Sequence, residues 1–206
     1  MTGLFITLEG GDGSGKSFQS KLLYEYLRTK NCDVIMTREP GGTKISEKIR
    51  EIIINKENEE MFPVTEAFLY AASRAQIVAE LIKPALLDGK TVICDRFLDS
   101  SIVYQGVARG LGFETVDIIN SYATIGLKPD ITFLFDIKPE EAFKRKLGVA
   151  ALDRLESEDM EFHHKVYDGY QELANKYSER IIVVDATAAP EEIFEIIKDK
   201  IDAILF

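Results

Sequence analysis

A glycine-rich segment close to the start of the chain has the residue types that bind phosphate groups. It matches the pattern G-x-x-x-x-G-K-[ST], since it consists of Gly10-Gly11-Asp12-Gly13-Ser14-Gly15-Lys16-Ser17. The glycines allow consecutive backbone N–H groups to converge on phosphate oxygens. We expect the Lys16 ammonium to reach the β- and γ-phosphates of a bound nucleotide and the Ser17 hydroxyl to hold Mg²⁺. The segment is therefore predicted to be a phosphate-binding loop.

One residue of this segment does not fit a purely phosphate-binding role. Asp12 carries a negative charge, and a carboxylate inside a phosphate-binding loop repels its ligand. Its side chain is therefore expected to face another group, such as a sugar hydroxyl or a metal ion. The alternative is an aspartate that only forms a turn.

Two further loops carry charged residues that suit a phosphorylated ligand. Arg38 opens the sequence Arg38-Glu39-Pro40-Gly41-Gly42, whose proline and glycines indicate an unusual loop. A guanidinium can hold a phosphate through two parallel hydrogen bonds. A short apolar run ends at Asp95-Arg96. We expect Asp95 to serve Mg²⁺ directly or through water, and Arg96 to enter the same pocket.

Two helical segments carry side chains that suit a nucleobase. Ser101, Tyr104 and Gln105 have the spacing i, i+3, i+4, so a regular helix would place them on one face. Tyr70 and Arg74 are four residues apart and would offer an aromatic ring beside a guanidinium. The alternatives are a mixed polar helix face for the first group, and a core tyrosine with a surface arginine for the second.

The elements that position these residues follow from the hydrophobic pattern. Strand-length apolar runs without strict alternation are predicted at 4–8, 33–37, 91–94, 130–135 and 180–184. Helical patterns are predicted at 16–30, 43–55, 64–88, 98–107, 114–124, 139–147, 157–178 and 190–204. Alternating strands and helices predict an α/β fold with a five-stranded parallel sheet flanked by helices on both faces. Ligands then bind beyond the carboxyl ends of the strands, where the charged loops lie.

Composition narrows the classes of protein and partner. The chain has 206 residues, 46% hydrophobic and 29% charged, which is typical of a single globular domain spanning 1–206. A net charge of -10 argues against a broad basic face for a nucleic acid polymer. No segment resembles a signal peptide or a membrane span, and Cys32 and Cys94 are too few for a disulfide framework. We therefore expect a cytoplasmic protein that does not bind membranes.

Together these segments resemble the thymidylate kinase family, whose members phosphorylate dTMP. The matching segments, in chain order, are 9–17, 37–43, 69–74, 95–97, 99–101, 104–106 and 153–156. The resemblance covers nearly the whole chain, and the Arg-Glu-Pro-Gly-Gly and Asp-Arg-Phe segments are its most specific parts. It implies a P-loop fold of the nucleoside monophosphate kinase type and a homodimer. The reaction it implies is ATP + dTMP → ADP + dTDP, with Mg²⁺.

The resemblance also assigns roles around dTMP. Asp12 is expected to contact the 3′-hydroxyl of the deoxyribose, which would explain a carboxylate in the loop. Arg38 and Arg96 are expected at the 5′-phosphate. The residues expected around the base and sugar are Arg74 towards the base, Tyr70 stacked on thymine where the family usually has Phe, Ser101 and Gln105 hydrogen-bonded to thymine, and Tyr104 against the 2′ position.

The family divides according to the position of its catalytic arginine. One type has a basic residue after the loop aspartate, whereas Gly13 follows Asp12 here. The chain therefore resembles the type whose mobile lid, expected at about 144–155, supplies the arginine. The residues expected to neutralise the transferring phosphoryl group are Lys16, Arg96 and the lid candidates Arg145 and Arg154.

Three alternative functions stay open on the sequence alone. A deoxynucleoside kinase acting on thymidine shares the phosphate-binding loop, although Arg38 argues for an acceptor that already bears a phosphate. A nucleotide-dependent switch would need a guanine-reading Asn-Lys-x-Asp motif, which the sequence lacks. The third alternative is a nucleotide-binding protein without turnover.

The segment 185–187 is a candidate adenine site and equally suits a simple turn.

Overall fold

The computed structural model describes residues 3–146 and 152–206, and its centre is a sheet of five parallel strands. The strand order is β2-β3-β1-β4-β5. Their bounds are β1 Phe5–Glu9, β2 Val34–Arg38, β3 Thr91–Asp95, β4 Ile131–Asp136 and β5 Ile181–Asp185. The predicted five-stranded parallel sheet is confirmed.

All five strands extend one residue beyond their predicted carboxyl ends, and each ends on a charged residue. Pairing continues to these positions, because Arg38 of β2 pairs with Asp95 of β3 and Asp136 of β4 pairs with Asp185 of β5. The carboxyl edge of the sheet is consequently a row of charged side chains. This edge is where an open parallel sheet binds its ligands.

Nine α-helices lie in the described part of the chain. They are α1 Lys16–Thr29, α2 Lys44–Ile54, α3 Pro63–Ile77, α4 Lys83–Leu87, α5 Leu98–Ser101, α6 Phe113–Thr124, α7 Pro139–Lys146, α8 Met160–Lys176 and α9 Pro190–Leu205. Residues 147–151, within the predicted lid, lie outside the described residues. None of the helices described is both long enough and apolar enough to cross a membrane.

The strands are apolar because helices cover both faces of the sheet. On one face Ile6 and Leu8 of β1 pack in a cluster with Leu23 of α1 and Ile197 of α9. On the other face Phe5 belongs to a cluster with residues of α3 and α8. Since successive strand side chains point to opposite faces, β1 contributes to both cores and is buried along its whole length.

Two predicted helices are interrupted by wider turns. The predicted helix 64–88 consists of α3 and α4 joined by a π-helical segment at Val78–Ile82. The predicted helix 98–107 begins as α5 and continues as a π-helical segment at Ile102–Ala108. A π-helix has i→i+5 hydrogen bonds, so side chains along it no longer follow the 3.6-residue period, and such segments are frequent at functional sites.

Candidate active site

The glycine-rich loop joins β1 to α1 and is closed around its own lysine. Lys16 Nζ donates hydrogen bonds to the carbonyl oxygens of Gly10 at 3.0 Å and Gly11 at 2.7 Å, and to Ser14 Oγ at 3.2 Å. Burial, and then the nearby Arg96, lower the pKa of Lys16 to about 8. The loop combines a cation with the N-terminus of a fourteen-residue helix. This arrangement binds phosphate groups.

The two predicted magnesium ligands lie side by side. Ser17 Oγ donates a hydrogen bond of 2.6 Å to Asp95 Oδ2, which joins the start of α1 to the end of β3. Both are oxygen ligands of the kind that Mg²⁺ prefers. No cluster of three or more His, Cys, Asp or Glu residues with metal-binding geometry occurs in the part of the chain that the structure describes. The remaining ligands of a magnesium ion would be phosphate oxygens and water.

Arg96 is held at the centre of the carboxyl edge by its backbone and its side chain. Its φ of 70° lies in the left-handed region, which is uncommon for a residue other than glycine. The carboxylate of Glu9 fixes the next turn, since Glu9 Oε1 accepts from the N–H of Phe97 at 2.7 Å. The guanidinium donates to Asp12 Oδ1 at 3.0 Å and to Ser100 Oγ at 3.2 Å.

The environment of Asp12 explains why a carboxylate is tolerated in the phosphate-binding loop. Burial alone would raise the pKa of Asp12, but Arg96, Lys16 and Lys146 outweigh burial and hold it well below its usual range. Asp12 is therefore ionised and surrounded by positive charge. It lines both the phosphate-binding cleft and a neighbouring cavity, so it marks the junction between them.

The phosphate-binding cleft, with an open volume of about 920 Å³, has more basic than acidic side chains. The basic residues lining it are Lys16, Arg38, Arg50, Arg96 and Lys146, and the acidic ones are Asp12, Glu39 and Asp95. The predicted residues Lys16, Arg38 and Arg96 are thus brought together. In a chain of net charge -10, this cleft concentrates positive charge where phosphates would bind.

Arg50 in this cleft was missed by the sequence analysis. It lies on α2, and its Nη1 donates to the carbonyl oxygen of Pro40 at 3.1 Å. Arg38 Nη1 donates to the same oxygen at 2.8 Å, so the Pro40 carbonyl holds two guanidinium groups at the cleft. Arg50 carries no motif of its own. The only available signal was its position on the helix that follows the Arg38-Glu39-Pro40 loop.

A second cavity of about 530 Å³ adjoins the cleft and contains the predicted base-binding residues Tyr70, Tyr104 and Gln105. Leu155 and Ile54 add apolar surface, so its walls combine aromatic, apolar and polar groups. Small-molecule sites typically have this composition. Since Asp12 and Arg96 line both spaces, a nucleotide in this cavity would direct its phosphate towards the glycine-rich loop.

The amide of Gln105 has a defined orientation. Its Nε2 donates to Glu66 Oε1 at 2.9 Å, and because a carboxylate can only accept, Glu66 distinguishes the amide nitrogen from the oxygen. The Oε1 atom of Gln105 is buried and has no hydrogen-bond partner among residues 3–146 and 152–206. A buried acceptor of this kind is suited to an N–H group of a ligand.

Arg74 does not line this cavity, in contrast to the expectation that it points towards the base. Its side chain is 1% exposed. It donates to Glu39 Oε2 at 2.7 Å, Ser101 Oγ at 2.9 Å, Asn120 Oδ1 at 2.6 Å and the carbonyl oxygen of Phe97 at 3.0 Å. These bonds tie the guanidinium to the protein beneath the cavity. Arg74 therefore supports the loops that carry Glu39 and Phe97.

Ser101 is likewise placed below the cavity and not beside Tyr104 and Gln105. It accepts from Arg74, and it is 2% exposed. The predicted common face assumed a regular α-helix, whereas the backbone becomes π-helical at Ile102–Ala108. Ser100, and not Ser101, is the serine of this segment that lines the cavity.

The two lid arginines predicted to be catalytic are also placed away from the phosphate-binding cleft. Arg154 is 6% exposed and donates to Glu66 Oε2 at 2.6 Å and to the carbonyl oxygen of Ile53 at 2.8 Å. Arg145 donates to the carbonyl oxygen of Ala186 at 2.8 Å, beyond the end of β5. The ion pair with Glu66 holds Arg154 away from the cleft. Glu66 is a residue that the sequence alone does not single out.

The candidate adenine segment forms a local turn. Asp185 Oδ1 accepts from the backbone N–H of Thr187 at 2.8 Å and from its hydroxyl at 2.6 Å. This is the hydrogen bonding of an Asx turn. The geometry accounts for these residues without a ligand, although Arg145 at Ala186 leaves a cation beside them.

Comparisons with known proteins agree on one family. The family model described as thymidylate kinase matches residues 8–197. A thymidylate kinase of Caldanaerobacter subterraneus subsp. tengcongensis is 57% identical over 185 residues, which cover 90% of this chain and 88% of the relative. A thymidylate kinase of a Thermoanaerobacter species is 49% identical, covering 99% and 98%. The crystal structure of thymidylate kinase from Ehrlichia chaffeensis superposes with a TM-score of 0.78 at 36% identity, covering 96% and 98%.

Proposed function

This chain belongs to the thymidylate kinase family, and we infer that it transfers the terminal phosphoryl group of ATP to dTMP, giving ADP and dTDP. One observation in the structure supports this function above others. A cavity with aromatic and amide side chains opens directly into a cleft that contains the glycine-rich loop and three arginines. Two nucleotides bound there would meet with their phosphates facing each other.

We propose that the amide of Gln105 recognises the thymine ring. Its Oε1 is a buried acceptor without a partner in the described residues, and the N3–H of thymine is a donor. Tyr70 and Tyr104 supply the aromatic surface for the base and the sugar. Cytosine presents an acceptor at N3, so it would place two lone pairs against each other. The geometry thus supports a thymine nucleotide over a cytosine nucleotide.

The acceptor is expected to enter the cleft with a phosphate already attached. Arg38, Arg50 and Arg96 line the cleft between the base cavity and the glycine-rich loop. Three guanidinium groups suit a dianionic 5′-phosphate. The 5′-hydroxyl of thymidine is neutral and would leave them without an anionic partner. We propose that Asp12, at the junction of the two spaces, accepts a hydrogen bond from the 3′-hydroxyl of the deoxyribose.

Ser17 and Asp95 are the proposed protein ligands of Mg²⁺, directly or through water. Their oxygens lie 2.6 Å apart at the start of α1, beside Lys16. When bound with ATP, the ion would neutralise phosphate charge and fix the orientation of the triphosphate. The donor set fits this ion, since it consists of oxygen atoms only.

The proposed mechanism depends on charge neutralisation more than on proton transfer. The attacking group is a phosphate oxygen that is already ionised at neutral pH, so no strong general base is needed. Lys16 and Arg96 hold the triphosphate of ATP and the 5′-phosphate of dTMP in line, and they offset the charge on the transferring group. Hydrogen bonds to Asp12 and Ser100 position the Arg96 guanidinium before a ligand binds. Lys16 would exchange its bonds to the loop carbonyl oxygens for bonds to phosphate oxygens.

We further propose a homodimer formed through α3 and α6. These helices pack against each other, and each carries large apolar side chains that are exposed. On α3 they are Val64 and Phe68, and on α6 they are Ile118 and Tyr122, in each case four residues apart. Adjacent exposed apolar patches mark interaction surfaces. Sedimentation velocity would test this, with a species of twice the mass of one chain expected and a monomer contradicting it.

Two other expectations are retained as proposals. A single domain over 1–206, with a lid at about 144–155, is consistent with the match of the family model across most of the chain. A cytoplasmic location is supported by Cys32 and Cys94, which are both free thiols.

A coupled assay of ADP formation with several acceptors tests the proposed function. Mg-ATP would be offered with dTMP, dUMP, dCMP, GMP and thymidine in parallel. We expect the highest kcat/KM with dTMP. Preference for thymidine would show a nucleoside kinase, and binding of nucleotides without turnover with any acceptor would also contradict the proposal.

A further inference from the structure

The family resemblance implies a cation on the lid side of the cleft, and neither Arg145 nor Arg154 lines that cleft. Arg154 is held against Glu66, which is buried and also accepts from Arg109 at 3.2 Å. Moving Arg154 to the cleft would leave a buried carboxylate with one partner fewer, which is unfavourable. Arg145 is directed to the loop after β5.

Lys146, at the end of α7, is the lid residue that lines the phosphate-binding cleft in the described part of the chain. It lines the cleft together with Lys16 and Ser17, and it is the lid-side cation closest in sequence to residues 147–151. It also lines the adjoining cavity of about 560 Å³ behind Gly10, Gly11 and Asp12. Lys146 therefore lines two spaces that the glycine-rich loop also lines, and its charge helps to hold the pKa of Asp12 low.

The position of Lys146 is fixed by an acidic partner. Its Nζ forms an ion pair with Glu156 Oε1, and both side chains are largely buried, with 19% and 15% exposed. Glu156 is itself held by a reciprocal pair of hydrogen bonds, since it accepts from the N–H of Asp153 at 2.9 Å and its own N–H donates to Asp153 Oδ1 at 2.9 Å. A lysine ammonium has three N–H donors, so the bond to Glu156 leaves two for phosphate oxygens.

We propose that Lys146, and neither Arg145 nor Arg154, is the lid residue that contacts the transferring phosphoryl group, and that Glu156 positions it. This rests on the proposed function. In the reaction a bond forms between a 5′-phosphate oxygen of dTMP and the γ-phosphorus, while the bond to the bridging oxygen breaks and its electron pair leaves with ADP. Lys146 keeps its protons throughout and donates hydrogen bonds to the γ-phosphoryl oxygens.

The test compares two substitutions at Lys146 with a matched change on the same helix. Lys146→Met removes the charge and keeps the length, Lys146→Arg keeps the charge, and Lys144→Met makes the same change at an exposed position of α7. We expect Lys146→Met to lower kcat by about 10²–10³, the loss typical of one preorganised donor, with KM for both substrates changed less than threefold. Lys146→Arg is expected to keep at least a tenth of kcat, and Lys144→Met to match the wild type.

A binding measurement separates a catalytic role from a structural one. The complex of ADP, dTMP and aluminium fluoride mimics the transferring phosphoryl group, whereas ADP with dTMP does not. We expect Lys146→Met to weaken the first complex at least tenfold more than the second. Its melting temperature is expected to fall because Glu156 loses its partner, and this loss affects both complexes equally. Equal weakening of both, or a kcat within threefold of the wild type, would overturn the proposal. If the wild type does not phosphorylate dTMP, the proposed function itself fails, which is a different outcome.

Discussion

Replacing Gln105 with methionine is expected to remove the preference for thymine over cytosine. Methionine has a similar length and no hydrogen-bond acceptor of comparable strength, so the base cavity keeps its shape. Glu66 keeps Arg109 and Arg154 as partners, which limits the effect on stability. The change therefore isolates the buried Oε1 atom that faces no protein donor in the described residues.

The size of the effect follows from the hydrogen bonds around this amide. A lost hydrogen bond that leaves a buried donor unsatisfied costs about 1–3 kcal/mol. This corresponds to a decrease of about 5- to 150-fold in kcat/KM for dTMP, since 1.36 kcal/mol is tenfold. In the wild type, turning the amide so that Nε2 donates to N3 of cytosine would cost the bond from Nε2 to the ionised Glu66, about 1.5–3 kcal/mol. In Gln105→Met this side chain offers no hydrogen bond to either base, so only the dTMP value is expected to fall.

The assay is kcat/KM for dTMP and for dCMP, measured with Mg-ATP in the same preparation. We expect the dTMP value to fall about 5- to 150-fold and the dCMP value to stay within threefold of the wild type. Gln76→Met is the matched control, because the Gln76 amide donates to Glu80 at 2.8 Å on the surface of α3, away from the cavity. A ratio of dTMP to dCMP within twofold of the wild type in Gln105→Met would refute the reasoning.

Three other perturbations probe the cleft and its support. Arg96→Ala is expected to lower kcat by about 10²–10³, and near-normal turnover would contradict a role at the phosphoryl group. The pKa of Lys16 is lowered to about 8, and kcat/KM reports the free enzyme, so kcat/KM for ATP should fall as the pH rises above 8 and Lys16 loses its charge. A pH profile that stays flat to pH 10 would argue against this assignment. Glu66→Gln should lower the free energy of unfolding by about 3 kcal/mol, because Arg109 and Arg154 would lose a buried anionic partner, and an unchanged urea midpoint would contradict it.

Features that depend on neighbouring residues could be predicted from the sequence. The glycine-rich loop, the strand–loop–helix context and the order of strands and helices all follow from short segments. The apolar runs predict each strand end one residue early, because a charged residue such as Glu9 or Asp95 resembles the start of a loop. The sheet register keeps such charged residues in the strand, since Asp95 still pairs with Leu8 of β1.

Features that depend on distant partners could not be predicted in this way. The spacing of Arg74 from Tyr70 and the family resemblance predict a ligand contact for Arg74, and the resemblance alone predicts one for Arg154. Their real partners, Glu39 and Glu66, are 35 and 88 residues away along the chain. Arg50 lines the cleft although no motif predicts it. A single charge on an amphipathic helix does not indicate that the fold will direct it into a ligand site.

The fate of the phosphoryl group tests the central claim most directly. The purified chain would be incubated with Mg²⁺, dTMP and ATP labelled in its γ-phosphate, and the products separated. We expect the label in the β-phosphate of dTDP, with one ADP formed for each dTDP. Label that appears only as inorganic phosphate, or that stays in ATP while dTMP is unchanged, would contradict the account.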